Sequence, residues 1–423
     1  MRVLLVLWDG GGTFPPPQLG IARELVHRGH PVRVLGHAGL RAQVEETGAE
    51  FVGYRHAPDA DASRPETDLV RDWQARTPLG GFARTRDNLI FGPAAAFARD
   101  VVAELKRERA DAVAFDYLLA GAAVGAEAAG VPACALVHTV YPFPAPGVPP
   151  FGLGLPPARG PLGRARDGVL RRLSERAYRP GLRPLNAARV EFGLSPLADP
   201  LEVLGRLDRA LVLTAPEFDF AGSAALPPNV RHVGPVLAPA RRTGWHSPWP
   251  AGHPDPLVLA SFSTTYQNQR GLAARTLLAL ADLPVRGLLT TGPALDLAGL
   301  EVPPHVVVRD FVPHAAVLPE ASAVVTHAGL GTVHAALAAG VPLVCLPHGR
   351  DQNDNAARVV HAGAGVRLGR GADPRRLRRA IATVLDDRGM RAAAGRLGSA
   401  LRAQDGATRA ADELESVACG RPL

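Results

Sequence analysis

The stretch Val324-Val325-Thr326-His327-Ala328-Gly329-Leu330-Gly331-Thr332-Val333-His334-Ala335-Ala336-Leu337 sets an apolar run, a glycine-bearing turn and a helical pattern in direct succession. Such an order makes an anion site. The N–H groups of a helix's first turn have no intrahelical partner, and the positive end of the helix dipole adds to their pull on phosphate oxygens. Gly329 and Gly331 let the backbone come close to the anion, His327 at the strand end offers a ring N–H, and Thr332 offers a hydroxyl. A diphosphate fits these donors better than a carboxylate. Tight packing accounts for many glycines in such turns, so the neighbours of the motif decide how it is read.

Those neighbours are elements of an α/β protein. Short apolar runs alternate with helical patterns along the whole chain, the signature of parallel sheets covered by helices on both faces. In the first half the pattern predicts strands at 3–7, 31–35, 111–115, 132–137 and 210–213, with helices at 18–28, 93–107, 120–129 and 164–191. A second series of strands is predicted at 257–262, 285–290, 306–309, 323–326 and 342–346. Between the two lies a Pro- and Gly-rich stretch of weak periodicity. The expected organisation is a first domain at 1–215, a linker at 216–255 and a second domain at 256–423, leaving open whether the C-terminal helix packs back on the first domain. Ligands of open α/β sheets bind beyond the carboxyl ends of the strands, so two doubly wound domains facing each other would hold their substrates in the cleft between them.

Composition narrows the function. With 423 residues, 47% of them hydrophobic and 21% charged, the chain has the make-up of a globular protein of two domains. No apolar run reaches the length that spans a bilayer. Asp9 and a glycine run cut short the apolar start before a signal-peptide core forms, so the expected location is cytoplasmic. The net charge of +7 is spread along the chain without aromatic interleaving, which argues against a nucleic-acid partner. Cys134, Cys345 and Cys419 lie far apart and read as buried, unpaired thiols. Residues 159–179 hold many arginines among Leu and Ala, a pattern for a basic amphipathic helix with a solvated face or an affinity for anionic membrane surfaces.

With its spacing, the segment from 310 to 357 resembles the inverting nucleotide-sugar glycosyltransferases that tailor antibiotics in actinobacteria and secondary products in plants. The resemblance extends over most of the chain and implies the GT-B fold of two Rossmann-like domains. It also implies roles. Phe311, where the family usually has Trp, would stack on the nucleobase, and Val312 would meet the base edge through its backbone. His327, Gly329, Gly331 and Thr332 would grip the diphosphate, and Asp351 with Gln352 would hold the sugar hydroxyls. In Ser261-Phe262-Ser263-Thr264-Thr265, Thr264, and after it Ser263, matches the hydroxyl residue that reaches the β-phosphate. The usual ribose-binding Glu is replaced by Ala335. The implied donor is a TDP-sugar, or next a UDP-sugar, and neither a metal nor another cofactor is required. Asp59-Ala60-Asp61 has the look of a metal motif from a different glycosyltransferase fold, but it sits in a polar loop.

Sugar transfer with inversion needs a base for the acceptor's proton. The family's His in the loop after the first strand is missing from Trp8-Asp9-Gly10-Gly11-Gly12-Thr13-Phe14-Pro15-Pro16-Pro17, where Thr13 or Phe14 takes its place. Asp116, Asp9 and His138, in that order, remain as catalytic candidates, together with the alternative of no protein base. The expected partner is a small-molecule natural-product acceptor, and the chain is expected to be a monomer or homodimer. Two rival readings keep the same fold: a nucleotide-sugar epimerase or hydrolase, and a non-catalytic auxiliary protein.

Overall fold

The computed structural model describes residues 1–10, 15–237 and 245–420. The chain divides into two compact units. The first holds Met1–Phe151, Pro157–Val236 and Gln404–Leu423; the second holds Gly152–Pro156 and Leu237–Ala403.

In the first unit, β1 (Val3–Val6), β2 (Val32–Gly36), β3 (Glu50–Gly53), β4 (Ala112–Asp116), β5 (Ala133–Val137), β6 (Arg209–Val212) and β7 (Val230–His232) form one parallel sheet in the order β3-β2-β1-β4-β5-β6-β7. Strands β1, β2, β4 and β5 are buried throughout, as parallel strands covered on both faces must be. The chain winds outward from β1 to β3 and then restarts beside β1 at β4, pairing Val6 with Phe115. That reversal opens a crevice beyond the ends of β1 and β4.

The second unit repeats the plan with β8 (Leu257–Ser261), β9 (Arg286–Thr290), β10 (Val306–Arg309), β11 (Ala321–Thr326), β12 (Leu343–Cys345) and β13 (Gly365–Arg367), in the order β10-β9-β8-β11-β12-β13. Its reversal lies between β8 and β11, where Ser261 and Thr326 are in register.

Several expectations change in detail, each for a physical reason. The first helix begins at Pro15 rather than at 18, because three prolines fit a first turn whose N–H groups need no partner. The helix expected over 164–191 is two helices, Gly160–Tyr178 and Leu182–Glu191, broken at Arg179–Gly181, where Pro180 interrupts the ladder. β3, β7 and β13 were not anticipated: they have three or four residues and are only partly covered, so they carry no clear pattern. β7 lies inside the stretch expected to be a linker, part of which, 238–244, is outside the described residues. Cys134 and Cys345 are buried in β5 and β12, but Cys419 is exposed.

The Gly406–Ala418 helix completes the first unit. Its Ala410, Ala411, Leu414 and Val417 share a core with Val3, Leu5 and Leu25, while Arg28 meets Asp412 at 2.7 Å and Arg209 meets Glu413 at 2.7 Å. Among the described residues no helix is long and apolar enough to cross a membrane.

Candidate functional site

At the second unit's reversal, Thr326 ends β11 and its hydroxyl accepts from the Ala328 N–H at 3.2 Å. This tight turn throws Ala328 into the left-handed region at φ 68°, a strained position for a residue with a Cβ. Beside it, the His327 ring lies against Gly329 at the start of the next helix. A Cβ at Gly329 would lie 2.6 Å from His327 Nε2, so this glycine is required for close approach and not for its own φ of −61°. The Leu330–Ala338 helix makes its first backbone bond from Val333 N to Gly329 O, which leaves the N–H groups of Leu330, Gly331 and Thr332 ahead of it. Burial, reinforced by His348, lowers the His327 pKa to about 3, so the ring is neutral at physiological pH. Its Nδ1 is buried without a hydrogen bond of ordinary geometry.

The facing turn follows β8. Ser263 N–H donates to Gln269 Oε1 at 2.9 Å, and the hydroxyls of Ser263 and Thr265 are bonded to each other at 2.8 Å. The Thr264 hydroxyl makes no hydrogen bond among the described residues and is partly exposed. Arg350, at φ 54°, donates to Thr265 Oγ1 at 3.0 Å and brings a cation to the same turn. His314 Nε2 lies 3.2 Å from Ser261 Oγ, and burial lowers its pKa to about 4.

Asp351 and Gln352 open the Gln352–His361 helix. Asn355 Nδ2 donates to Asp351 Oδ2 at 2.8 Å and to Ala328 O at 3.0 Å, tying the carboxylate to the strained turn. Gln352 Oε1 accepts from the N–H groups of His348 (2.8 Å) and Gly349 (3.2 Å), and its Nε2 donates to Gln267 Oε1 at 2.8 Å. The other amide hydrogen of Gln352 makes no hydrogen bond among the described residues. In the same first turn, Asp354 accepts from Gly152 N–H (2.6 Å) and Gly154 N–H (3.2 Å), and burial raises its pKa to about 6. Phe311, beyond β10, is 74% exposed, whereas Val312 is buried and its backbone makes no hydrogen bond among the described residues.

The reversal in the first unit is built differently. Asp116, the last residue of β4, is fully buried; its Oδ1 accepts from Leu118 N–H at 3.0 Å and its Oδ2 from Gln18 Nε2 at 2.8 Å. His138, just past β5, places Nδ1 3.3 Å from that same Oδ2, and its ring lies 5.1 Å from the Tyr117 ring. Asp116 and His138 are thus brought together. Asp9 belongs to another group: its N–H donates to His37 Nδ1 at 3.0 Å, and a Cβ on Gly39 would lie 2.6 Å from its carboxylate. His37 in turn donates from Nε2 to Pro58 O, and its pKa is lowered, chiefly by burial. Thr13 and Phe14 lie outside the described residues. Asp59 and Asp61 accept from the neighbouring N–H groups of Ala60 and Ser63.

Sequence reasoning missed Gln18, Arg350 and Asn355. Only the last two left a trace, as polar residues flanking Asp351-Gln352.

Comparison with known proteins decides the family. Residues 289–417 match the family described as erythromycin biosynthesis protein CIII-like, C-terminal domain. Along 98% of this chain and 99% of its own length, the 4'-demethylrebeccamycin synthase of Lentzea aerocolonigenes is 33% identical. This chain belongs to the natural-product tailoring glycosyltransferases. Solved structures agree with the fold: the glycosyltransferase of kitacinnamycin matches this glycosyltransferase with a TM-score of 0.76 at 26% identity, covering 98% of each chain. The glycosyltransferase VinC, crystallised in complex with dTDP, matches with a TM-score of 0.70 at 21% identity over 99% of this chain and all of its own. The fold is GT-B, and the protein is an enzyme of the antibiotic-tailoring type.

Proposed function

We propose that this glycosyltransferase moves a sugar, with inversion and without a metal ion, from a nucleoside diphosphate sugar to a small-molecule natural-product acceptor, TDP being preferred to UDP. The observation that carries the donor half is the His327 ring lying over the start of the Leu330–Ala338 helix, a fit that Gly329 alone permits. Neutral imidazole, the N–H groups of Leu330, Gly331 and Thr332, which make no backbone bond among the described residues, and the Thr264 hydroxyl supply donors for the diphosphate, with Arg350 and the Ser263–Thr265 pair behind them. Preorganised donors of this kind stabilise the charge that builds on a leaving diphosphate. Phe311 stacks on the base, Val312 offers its backbone to the base edge, and Asp351 and Gln352 hold the sugar hydroxyls. The choice of TDP leans on the dTDP complex of a protein with the same fold.

On the acceptor side, proton removal belongs to Asp116 and His138 acting together. His138 Nδ1 lies 3.3 Å from both Asp116 Oδ2 and Gln18 Nε2; in the tautomer that carries its proton on Nδ1 the Asp116 carboxylate faces that proton, and the buried Nε2 keeps the lone pair that takes the acceptor's proton as its nucleophile attacks the anomeric carbon. Gln18 keeps the carboxylate in place. Asp9, engaged beside His37 and Gly39, is the weaker candidate.

Calorimetry with TDP and UDP, and turnover assays with the matching sugar donors before and after chelation by EDTA, test this reading. The expected result is tighter binding of TDP and turnover that survives EDTA. Failure to bind either nucleotide would remove the donor site, and turnover abolished by EDTA and restored by a divalent cation would remove metal independence.

A further inference from the structure

The Gly160–Tyr178 helix is long, yet only Asp167 and Tyr178 along it are buried. On the opposite side Leu162, Val169 and Leu173, spaced i, i+7 and i+11, fall on one line and are 87%, 58% and 51% exposed. A helix that turns large apolar side chains outward has a surface made for something other than water. Arginines border this line. Arg166 pairs with Asp167 and Arg171 with Glu175, but the guanidinium groups of Arg159, Arg164, Arg172 and Arg176 make no ion pair or hydrogen bond among the described residues. By helical spacing Arg172 and Arg176 flank the apolar line on one side, Arg166 flanks it on the other, and the acidic Asp167 is turned away.

We infer that this helix docks the enzyme on an anionic membrane surface, lying in the interface plane with Leu162, Val169 and Leu173 among the acyl chains. The arginines decide for this occupant. A second copy meeting the helix across a two-fold axis would set the arginines that border the line against their own kind, whereas anionic headgroups attract them. Arginine stems also cover apolar surface while their charged ends reach the headgroups, which suits the flanking positions. The docking is reversible and distinct from membrane spanning, for which no described helix is long and apolar enough.

Flotation of the full-length protein with vesicles tests this directly and does not depend on turnover. The protein is expected to float with phosphatidylcholine vesicles that contain phosphatidylglycerol, to stay behind with phosphatidylcholine alone, and to be released by high salt. Two variants on the exposed face, Arg172→Gln with Arg176→Gln, and Leu162→Ser with Val169→Ser and Leu173→Ser, should each weaken partitioning by about tenfold or more, with circular dichroism and thermal unfolding unchanged. Wild-type protein that ignores the anionic vesicles overturns the inference, as does binding that both variants retain in full. Sedimentation velocity supplies a further check: a wild-type dimer that the triple serine variant converts to monomer would make the stripe a self-association surface and overturn membrane docking.

Discussion

The two sheet reversals are the same device used in two ways. Between β8 and β11 the working groups are mostly backbone: a strained turn at Ala328, a glycine that admits the His327 ring, and a helix start. Between β1 and β4 they are side chains from three separate elements, with Gln18, Asp116 and His138 meeting around one carboxylate oxygen. A site made of backbone is written into a continuous run of sequence. One made of converging side chains is written only in the fold.

The largest effect that separates the two comes from Asp116→Asn and His138→Ala. Each is expected to lower kcat by about 10²–10⁴-fold, the ordinary worth of a positioned base, while calorimetry finds nucleotide affinity unchanged. Full turnover in both would break the pairing, and a loss confined to Asp9→Asn would move the base to the first strand. On the donor side, Gly329→Ala should push the His327 ring off the helix start and cost roughly 10²-fold in kcat/KM, in line with displacements of about 1 Å. Here nucleotide affinity should fall as well, and unchanged affinity would show that the ring does not contribute to the grip.

A smaller difference concerns acid. His327 and His314 have folded pKa values near 3 and 4, below the ordinary 6.5, so the unfolded chain takes up protons that the folded one refuses. Their neutral burial is harmless above about pH 6.5 and costs stability as pH falls toward 4, on the order of 2 kcal/mol each by pH 5. Asp354, raised from 3.8 to about 6, has the opposite sign: it is unfavourable above pH 6 and relieved below about pH 4. Urea unfolding at pH 7 and pH 5 should therefore give a smaller acid loss in His314→Leu and a larger one in Asp354→Asn. Identical pH slopes in all three proteins would contradict these burial effects. The mildest change is Phe311→Ala, expected to weaken TDP by about 1–3 kcal/mol, the value of one base stacked on an aromatic ring. Phe311→Trp should keep or improve binding.

What the sequence disclosed follows the same division. The order of strand, glycine turn and helix at 321–338 was readable because each feature sits within a few residues of the next. Asp116 was readable as a strand end, and so was His138, but their meeting depends on β4 and β5 being parallel neighbours, with Asp116 paired to Leu136. Gln18 gave no signal at all, since a glutamine in a first helical turn is unremarkable until the strand beside it is known. Asn355 illustrates the same limit from within the motif: it lies four residues past Asp351, yet its second bond reaches back to Ala328. The break at Arg179–Gly181 was legible in principle, because Pro180 stands in plain view.

The return of the Gly406–Ala418 helix to the core containing Val3, Leu5 and Leu25 has a consequence for biosynthesis. A ribosome makes the first unit's sheet early, but that sheet lacks Ala410, Ala411, Leu414 and Val417 until nearly the whole second unit has been translated. The nascent sheet must wait with part of its apolar face uncovered, a state in which chaperones and aggregation compete. Silent codon changes that slow translation between β8 and residue 403 would lengthen that wait, and they could lower the yield of soluble enzyme without altering a single side chain.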